Sequence, residues 1–364
     1  METTFSRSQL NIKPKLKTIF WITLGWTLVS LIQFSIGYTT VDQLECTDVD
    51  NVVPIYLKGS VLTGLLAGTI GGSGVVFLWE RWLRTRKYRT ALLYIFLSYT
   101  VVYYMVAFPS ALYFVTSEKG LSIAHPEVRQ AVLENMGGLS TLNNYIFWLI
   151  VVLWTILLLQ INDKYGPGVL LDFIKGKYFS PKREERIFMF LDLRDSTSIA
   201  ERLGEMKYFN FLNDVFRFTT PAILRTKGEI YQYVGDEIVI SWKMSQGLNQ
   251  DNCVRCFYEV QRDLKKVEPH FQSEYNESPL FKAGLHYGYV MAGEIGVVKR
   301  DIVFSGDVLN TTARIQSKCN DFSVNILVSG TLVGRLSKSI THEAKKMGEI
   351  LLRGKESEVT LYTI

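Results

Sequence analysis

Residues 186–197 read RIFMFLDLRDST. Ile187 to Leu191 is an unbroken apolar run, short enough for a strand buried on both faces, and it ends at Asp192. The break is abrupt: Asp195 and Ser196 are residue types that cap a following helix. A carboxylate at the end of a buried strand is open to a ligand while the strand holds it in place. A second helix is expected from about 206 to 224.

Further along, 228–242 reads GEIYQYVGDEIVISW, in which β-favouring residues flank Gly235-Asp236. This pattern predicts a hairpin with Asp236 at its turn. A helix of roughly 247–267 follows, then glycine-rich strands within 281–296 (FKAGLHYGYVMAGEIG). Residues 307–318 read as a helix that places Asn310 and Arg314 four apart on one face. The last seventeen residues, GEILLRGKESEVTLYTI, read as a strand pair. The order strand, helices, hairpin, helix, hairpin, helix, strands predicts an α+β domain with helices packed on one face of its sheet.

Outward from this domain the composition changes. Stretches 18–38, 59–79, 90–115 and 145–161 contain no Asp, Glu, Lys or Arg, and each approaches the ~20 residues needed to cross a bilayer. Arg7, Lys13, Lys15 and Lys17 precede the first stretch, and Arg81, Arg84, Arg86, Lys87 and Arg89 separate the second from the third. Basic flanks resist translocation, so both should face the cytosol, as should the C-terminal domain. The expectation is a multi-pass protein of the plasma (inner) membrane with both termini cytosolic: a four-span all-α transmembrane domain (1–161), a linker (162–185) and a cytosolic domain (186–364).

Because the apolar stretches hold no ionisable residue, transport is a poor reading. Gly64, Gly68 and Gly72, four apart, predict close approach of two helix backbones, within the bundle as the first reading or across a dimer. The net charge of +5 arises from 40 basic and 35 acidic residues with no dominant basic cluster, which gives no reason to expect nucleic acid as a partner. Four cysteines in 364 residues exclude a disulfide-stapled fold, and Cys253-x-x-Cys256 lacks a second pair at zinc spacing, so it reads as helix packing.

Asp192 at a strand end and Asp236 in a tight hairpin turn would meet if those strands are neighbours, and paired hard oxygen ligands suit Mg²⁺ or Mn²⁺. Such ions bind substrate phosphates, and two together stabilise both oxygens of an in-line displacement. Arg314 is placed to neutralise charge on a transferring phosphorus, and Asn310, one turn earlier, to orient a sugar oxygen.

Together FLDLRDST (190–197), GEIYQYVGDE (228–237), AGEIG (292–296) and GDVLNTTAR (306–314) resemble the class III nucleotidyl cyclases, over about residues 183–364. The resemblance implies a cyclase catalytic domain with a ferredoxin-like core and an antiparallel-rich sheet. It implies two divalent ions, Mg²⁺ or Mn²⁺, at Asp192, Leu193 and Asp236, and transition-state stabilisation by Asn310 and Arg314. Arg353 or Lys355 would hold the triphosphate. The reaction would be attack of a ribose 3′-hydroxyl on the α-phosphate of a nucleoside triphosphate, giving a 3′,5′-cyclic nucleotide and pyrophosphate. It also implies a homodimer whose sites take the aspartates from one subunit and the Asn/Arg pair from the other, bound to a lipid bilayer here.

The base-reading positions depart from the family pattern. Gln232 stands where cyclases using ATP usually have Lys, and Val303 where they have Asp or Thr; the guanylate-type Glu is absent, and Asp195 replaces a frequent Gly. ATP is the first expectation, with a pyrimidine triphosphate, or a catalytically silent cyclase-like receptor, as alternatives. A diguanylate cyclase fits less well, since Val234 replaces the first Gly of its turn motif.

Overall fold

The structure is a computed structural model that describes residues 12–43, 49–165, 176, 178–298, 301–351 and 358–364. It divides into two compact units, 1–167 and 168–364.

In the N-terminal unit four helices are long and apolar enough to cross a membrane, over Lys15–Thr39, Val53–Leu83, Tyr88–Lys119 and Leu139–Asn162. They belong to α1 (Ile12–Gln43), α2 (49–85), α3 (Tyr88–Lys119) and α5 (Leu139–Tyr165), with the shorter α4 (Pro126–Gly137) between the last two. Helix α2 is not uniform: π-helical turns occupy Ala67–Gly71 and Val75–Trp79. Gly64 and Gly68 pack against α1, where an added Cβ would lie 2.6 Å from Thr27 Cα and 2.4 Å from Thr23 Cα. No side chain fits that spacing, so these glycines serve packing within the bundle. Leu24, Leu28, Leu93, Leu97 and Ile150 turn outward and are exposed in the isolated chain.

The C-terminal unit contains one eight-stranded sheet. Its strands are β1 (Lys182–Leu193), β2 (Glu229–Val234), β3 (Glu237–Lys243), β4 (Phe281–Ile295), β5 (Asp301–Ser305), β6 (Ile326–Ser329), β7 (Lys345–Leu351) and β8 (Glu358–Thr363). Their order is β2-β3-β1-β4-β6-β8-β7, with β5 paired to β4; only the β4–β6 pair is parallel. The helices are α6 (Ser196–Leu203), α7 (Glu205–Arg225), α8 (Asn252–Lys266), α9 (Glu268–Tyr275) and α10 (Asp307–Ser317), besides shorter turns.

Central strand β1 explains its own apolar run. Ile187, Met189, Leu191 and Leu193 join the core beneath α7, α8 and α9, while Phe188 and Phe190 pack with Val239, Val290 and Val308 on the opposite face. Helices therefore cover both faces, where one was expected, because α10 takes the second. Gly284 on β4 allows this: a Cβ there would lie 2.4 Å from Gln316 N. The expected strand pair in 281–296 is one fifteen-residue strand whose hairpin partner, β5, lies beyond it. The helix expected from 247 starts at Asn252, after Gln250 and Asp251 in left-handed conformation. Helix α5 runs on to Tyr165 and β1 starts at Lys182, so regular structure enters the 162–185 linker from both ends.

Candidate active site

The sheet register brings the carboxylates together. Asp192, next to last in β1, pairs with Glu237 on β3 and with Lys282 on β4. Val234 pairs with Glu237, so Gly235 and Asp236 are the two turn residues. Gly235 has φ 62°, as the first position of this tight hairpin turn requires, and glycine adopts that conformation without a steric cost. The turn thus sets Asp236 beside Asp192, and Glu237 follows on the same strand end.

Burial raises the pKa of Asp192, and the nearby Asp236 charge adds to this. Lys282 and Gln316 oppose them: Lys282 Nζ lies 3.1 Å from Asp192 Oδ2, and Gln316 Nε2 donates to the same oxygen at 2.9 Å. Glu237 is pushed up to about 7 by burial and then by Asp192 and Asp236, with Lys282 pulling the other way. The Tyr208 hydroxyl is raised too, by burial first and also by both aspartates, which places it at their edge. Like charges held this close favour a bound cation. Among the described residues no hydrogen bond or ion pair engages Asp236.

Asn310 and Arg314 share one face of α10, as expected. Asn310 is exposed and Arg314 half-buried, and among the described residues neither side chain has a hydrogen-bond or ion-pair partner. Gln316 comes two residues after Arg314, about 200° around the helix, and turns to Asp192 of its own chain. The Asn310/Arg314 face therefore points away from its own aspartates.

Gln232 is exposed on β2, directly after a bulge at Tyr231. The bulged Tyr231 reaches β5: its hydroxyl accepts from Phe304 N at 3.2 Å, with ring centroids 5.0 Å apart. Val303, half-buried, is the neighbour of Phe304. Gln232 and Val303, the two positions expected to read the base, thus each adjoin a residue of the Tyr231–Phe304 aromatic contact. Leu193 has its side chain in the core, 2% exposed, which leaves only its backbone oxygen as a ligand atom. Arg353 and Lys355 lie outside the described residues. Asp195 is at the N-cap of α6 with φ 55° but makes no side-chain capping bond. His286 hydrogen-bonds Ser329 Oγ at 2.8 Å, and Cys253 and Cys256 are buried in α8.

Sequence reading missed Glu237, Lys282, Gln316 and Tyr208. Glu237 carried a signal, its adjacency to Asp236; the others reach the site through long-range pairing. Among the described residues no three His, Cys, Asp or Glu side chains form a metal cage. Two hard carboxylates still fit Mg²⁺ or Mn²⁺, which retain waters and take further oxygens from substrate phosphates.

This sheet, with its paired aspartates and its Asn/Arg helix, is that of a nucleotidyl cyclase domain. Residues 180–364 match the sequence model of the adenylate and guanylate cyclase catalytic domain, and the chain belongs to that family. It is 34% identical over 209 residues to adenylate cyclase 2 of Rhizobium meliloti (strain 1021), an alignment covering 57% of this chain and 58% of that protein. It is 26% identical over 182 residues to an adenylate cyclase of Anabaena cylindrica, covering 48% of this chain and 36% of that protein. The chain thus spans little more than half, or less, of these relatives. A bacterial light-regulated adenylyl cyclase structure superposes with a TM-score of 0.53 at 19% identity, over 63% of this chain and 66% of that one, and shows the same fold.

Proposed function

We propose that the protein is a membrane-bound cyclase that converts a nucleoside triphosphate, ATP foremost, into its 3′,5′-cyclic monophosphate and pyrophosphate at a homodimer interface. The observation that carries this reading is the placement of Asp236 beside Asp192 at one sheet end while Asn310 and Arg314 face away on α10. Two relatives named adenylate cyclase support ATP as the substrate.

Asp192 and Asp236, with the Leu193 backbone, would hold Mg²⁺ or Mn²⁺, two ions per site. Bound there, the ions would supply positive charge against the triphosphate. In the reaction the ribose O3′–Pα bond forms, the bond from Pα to the β-phosphate oxygen breaks, and the hydroxyl proton is released. Asn310 of the second subunit orients the ribose, and its Arg314 offsets charge on the α-phosphate as that charge builds. Gln232 and Val303 line the base pocket. Gln232 both donates and accepts and Val303 does neither, so this pair also admits a pyrimidine base. Arg353 or Lys355 holds the β- and γ-phosphates.

The apolar outer faces of α1, α2, α3 and α5 suit a lipid bilayer, and the basic segment between α2 and α3 faces the cytosol in the plasma (inner) membrane. Both termini would then be cytosolic, and the 162–185 connector joins the bundle to the catalytic domain.

Mass spectrometry of products after incubating detergent-purified protein with ATP, GTP, CTP and UTP plus Mn²⁺ tests this. Cyclic AMP as main product supports the reading; cyclic CMP or UMP moves the substrate to pyrimidines, and no cyclic product contradicts the activity.

A further inference from the structure

We propose that the N-terminal helical unit contains a binding site for a small neutral amphiphile, with an apolar ring-bearing body and an uncharged hydrogen-bonding head. A cavity of about 330 Å³ lies among α1, α2, α3 and α5, within the ~300–1,000 Å³ of small-molecule sites. Its floor is aromatic: Trp26, Trp79 and Tyr99 are 5%, 1% and 2% exposed. Its mouth is polar, formed by the exposed Asn135, Ser140 and Asn144 where α4 meets α5. Among the described residues no Asp, Glu, Lys, Arg or His lines it.

Polar atoms of the floor are already satisfied. Trp79 Nε1 donates to Ser98 Oγ at 2.7 Å, Trp26 Nε1 to Thr155 Oγ1 at 2.9 Å, and the Tyr99 hydroxyl to Tyr145 O at 2.7 Å. The hollow therefore receives ring surfaces, which favour an apolar guest and leave an ion unsolvated. At the mouth, by contrast, the Asn135, Ser140 and Asn144 side chains make no hydrogen bond among the described residues. They remain available to an uncharged head group.

A separate feature of α2 points to the same place. Its π-helical turns, Ala67–Gly71 and Val75–Trp79, supply Ala67, Gly71 and Trp79 to the lining. Such turns are rare and recur at functional sites. Gly71 also seats the floor, since a Cβ there would lie 2.6 Å from the Trp26 ring.

The test titrates 2-naphthol, and its anionic analogue 2-naphthoate, into the full chain in lipid nanodiscs by calorimetry, with Ala107→Phe and Ala111→Leu as cavity-filling variants checked for folding by circular dichroism. The expected result is saturable one-to-one binding of 2-naphthol, at least tenfold tighter than 2-naphthoate and weakened at least tenfold by Ala107→Phe, or by Ala111→Leu should the first fail to fold. Unsaturable uptake, equal binding of the anion, or unchanged binding in the folded variants would overturn the proposal. So would binding seen in detergent but absent in nanodiscs, which would make the occupant a lipid chain. Binding is read directly, independently of cyclase turnover.

Discussion

Lys282 Nζ and Asp192 Oδ2 lie 3.1 Å apart on neighbouring strands, so the chain supplies its own cation to a carboxylate that a metal would also use. The two compete. Lys282→Met should lower the Mn²⁺ concentration for half-maximal turnover, by about threefold to tenfold given the screened repulsion between close like charges. A metal titration checks this; an unchanged or raised midpoint would remove the competition.

Asp236 is linked by no hydrogen bond or ion pair to any described residue, whereas Asp192 is held by Lys282 and Gln316. Asp236→Ala should therefore abolish turnover while leaving stability within about 0.5 kcal/mol, as for a surface change that breaks no contact. Activity assays beside denaturant unfolding separate the two effects. Surviving turnover would refute the metal assignment.

Much of this architecture was legible in the sequence. Charge-free stretches marked four membrane-length helices, and the strand end at Asp192 and the Gly235-Asp236 turn were readable because local pattern decides them. Lys282, Gln316 and Tyr208 were not readable as site residues: ninety residues separate Asp192 from Lys282, and only the β1–β4 register joins them. The helix at 307–318 was readable, but its place on the sheet's second face was hidden for a similar reason. A run buried on both sides, such as Ile187–Leu191, says that something covers each face without saying what.

Arg186 is 1% exposed and ion-paired to Glu184 at 2.8 Å and Glu229 at 2.6 Å, with a further bond to Ser241. Arg186→Ala should cost about 3–5 kcal/mol, the usual penalty for breaking a buried pair. Glu229 is nearly half exposed and recovers hydration, which favours the lower figure. Hydrogen exchange along β1 measures it. Protection equal to the unmodified protein would show that the pair adds nothing.

Burial pushes the thiols of Cys253, Cys256 and Cys319 up to about 12. A raised thiol pKa means less thiolate, so at pH 8 roughly one in 10⁴ is ionised, against about one in ten for a thiol of pKa 9. Iodoacetamide at pH 8 should leave all three unlabelled in the folded chain and label them in urea, as peptide mass spectrometry would read. Rapid labelling without urea would contradict the packing role.

A site shared between two copies of the chain is tested most directly by mixing two inactive variants. Asp236→Ala and Arg314→Ala should each be inactive alone. In a mixed dimer one site carries both defects and the other none. Random exchange of equal amounts makes half the dimers mixed, so cyclic-nucleotide formation should recover to about one quarter of the unmodified rate. No recovery, with mixed dimers shown to form and the unmodified protein active, would contradict the shared site.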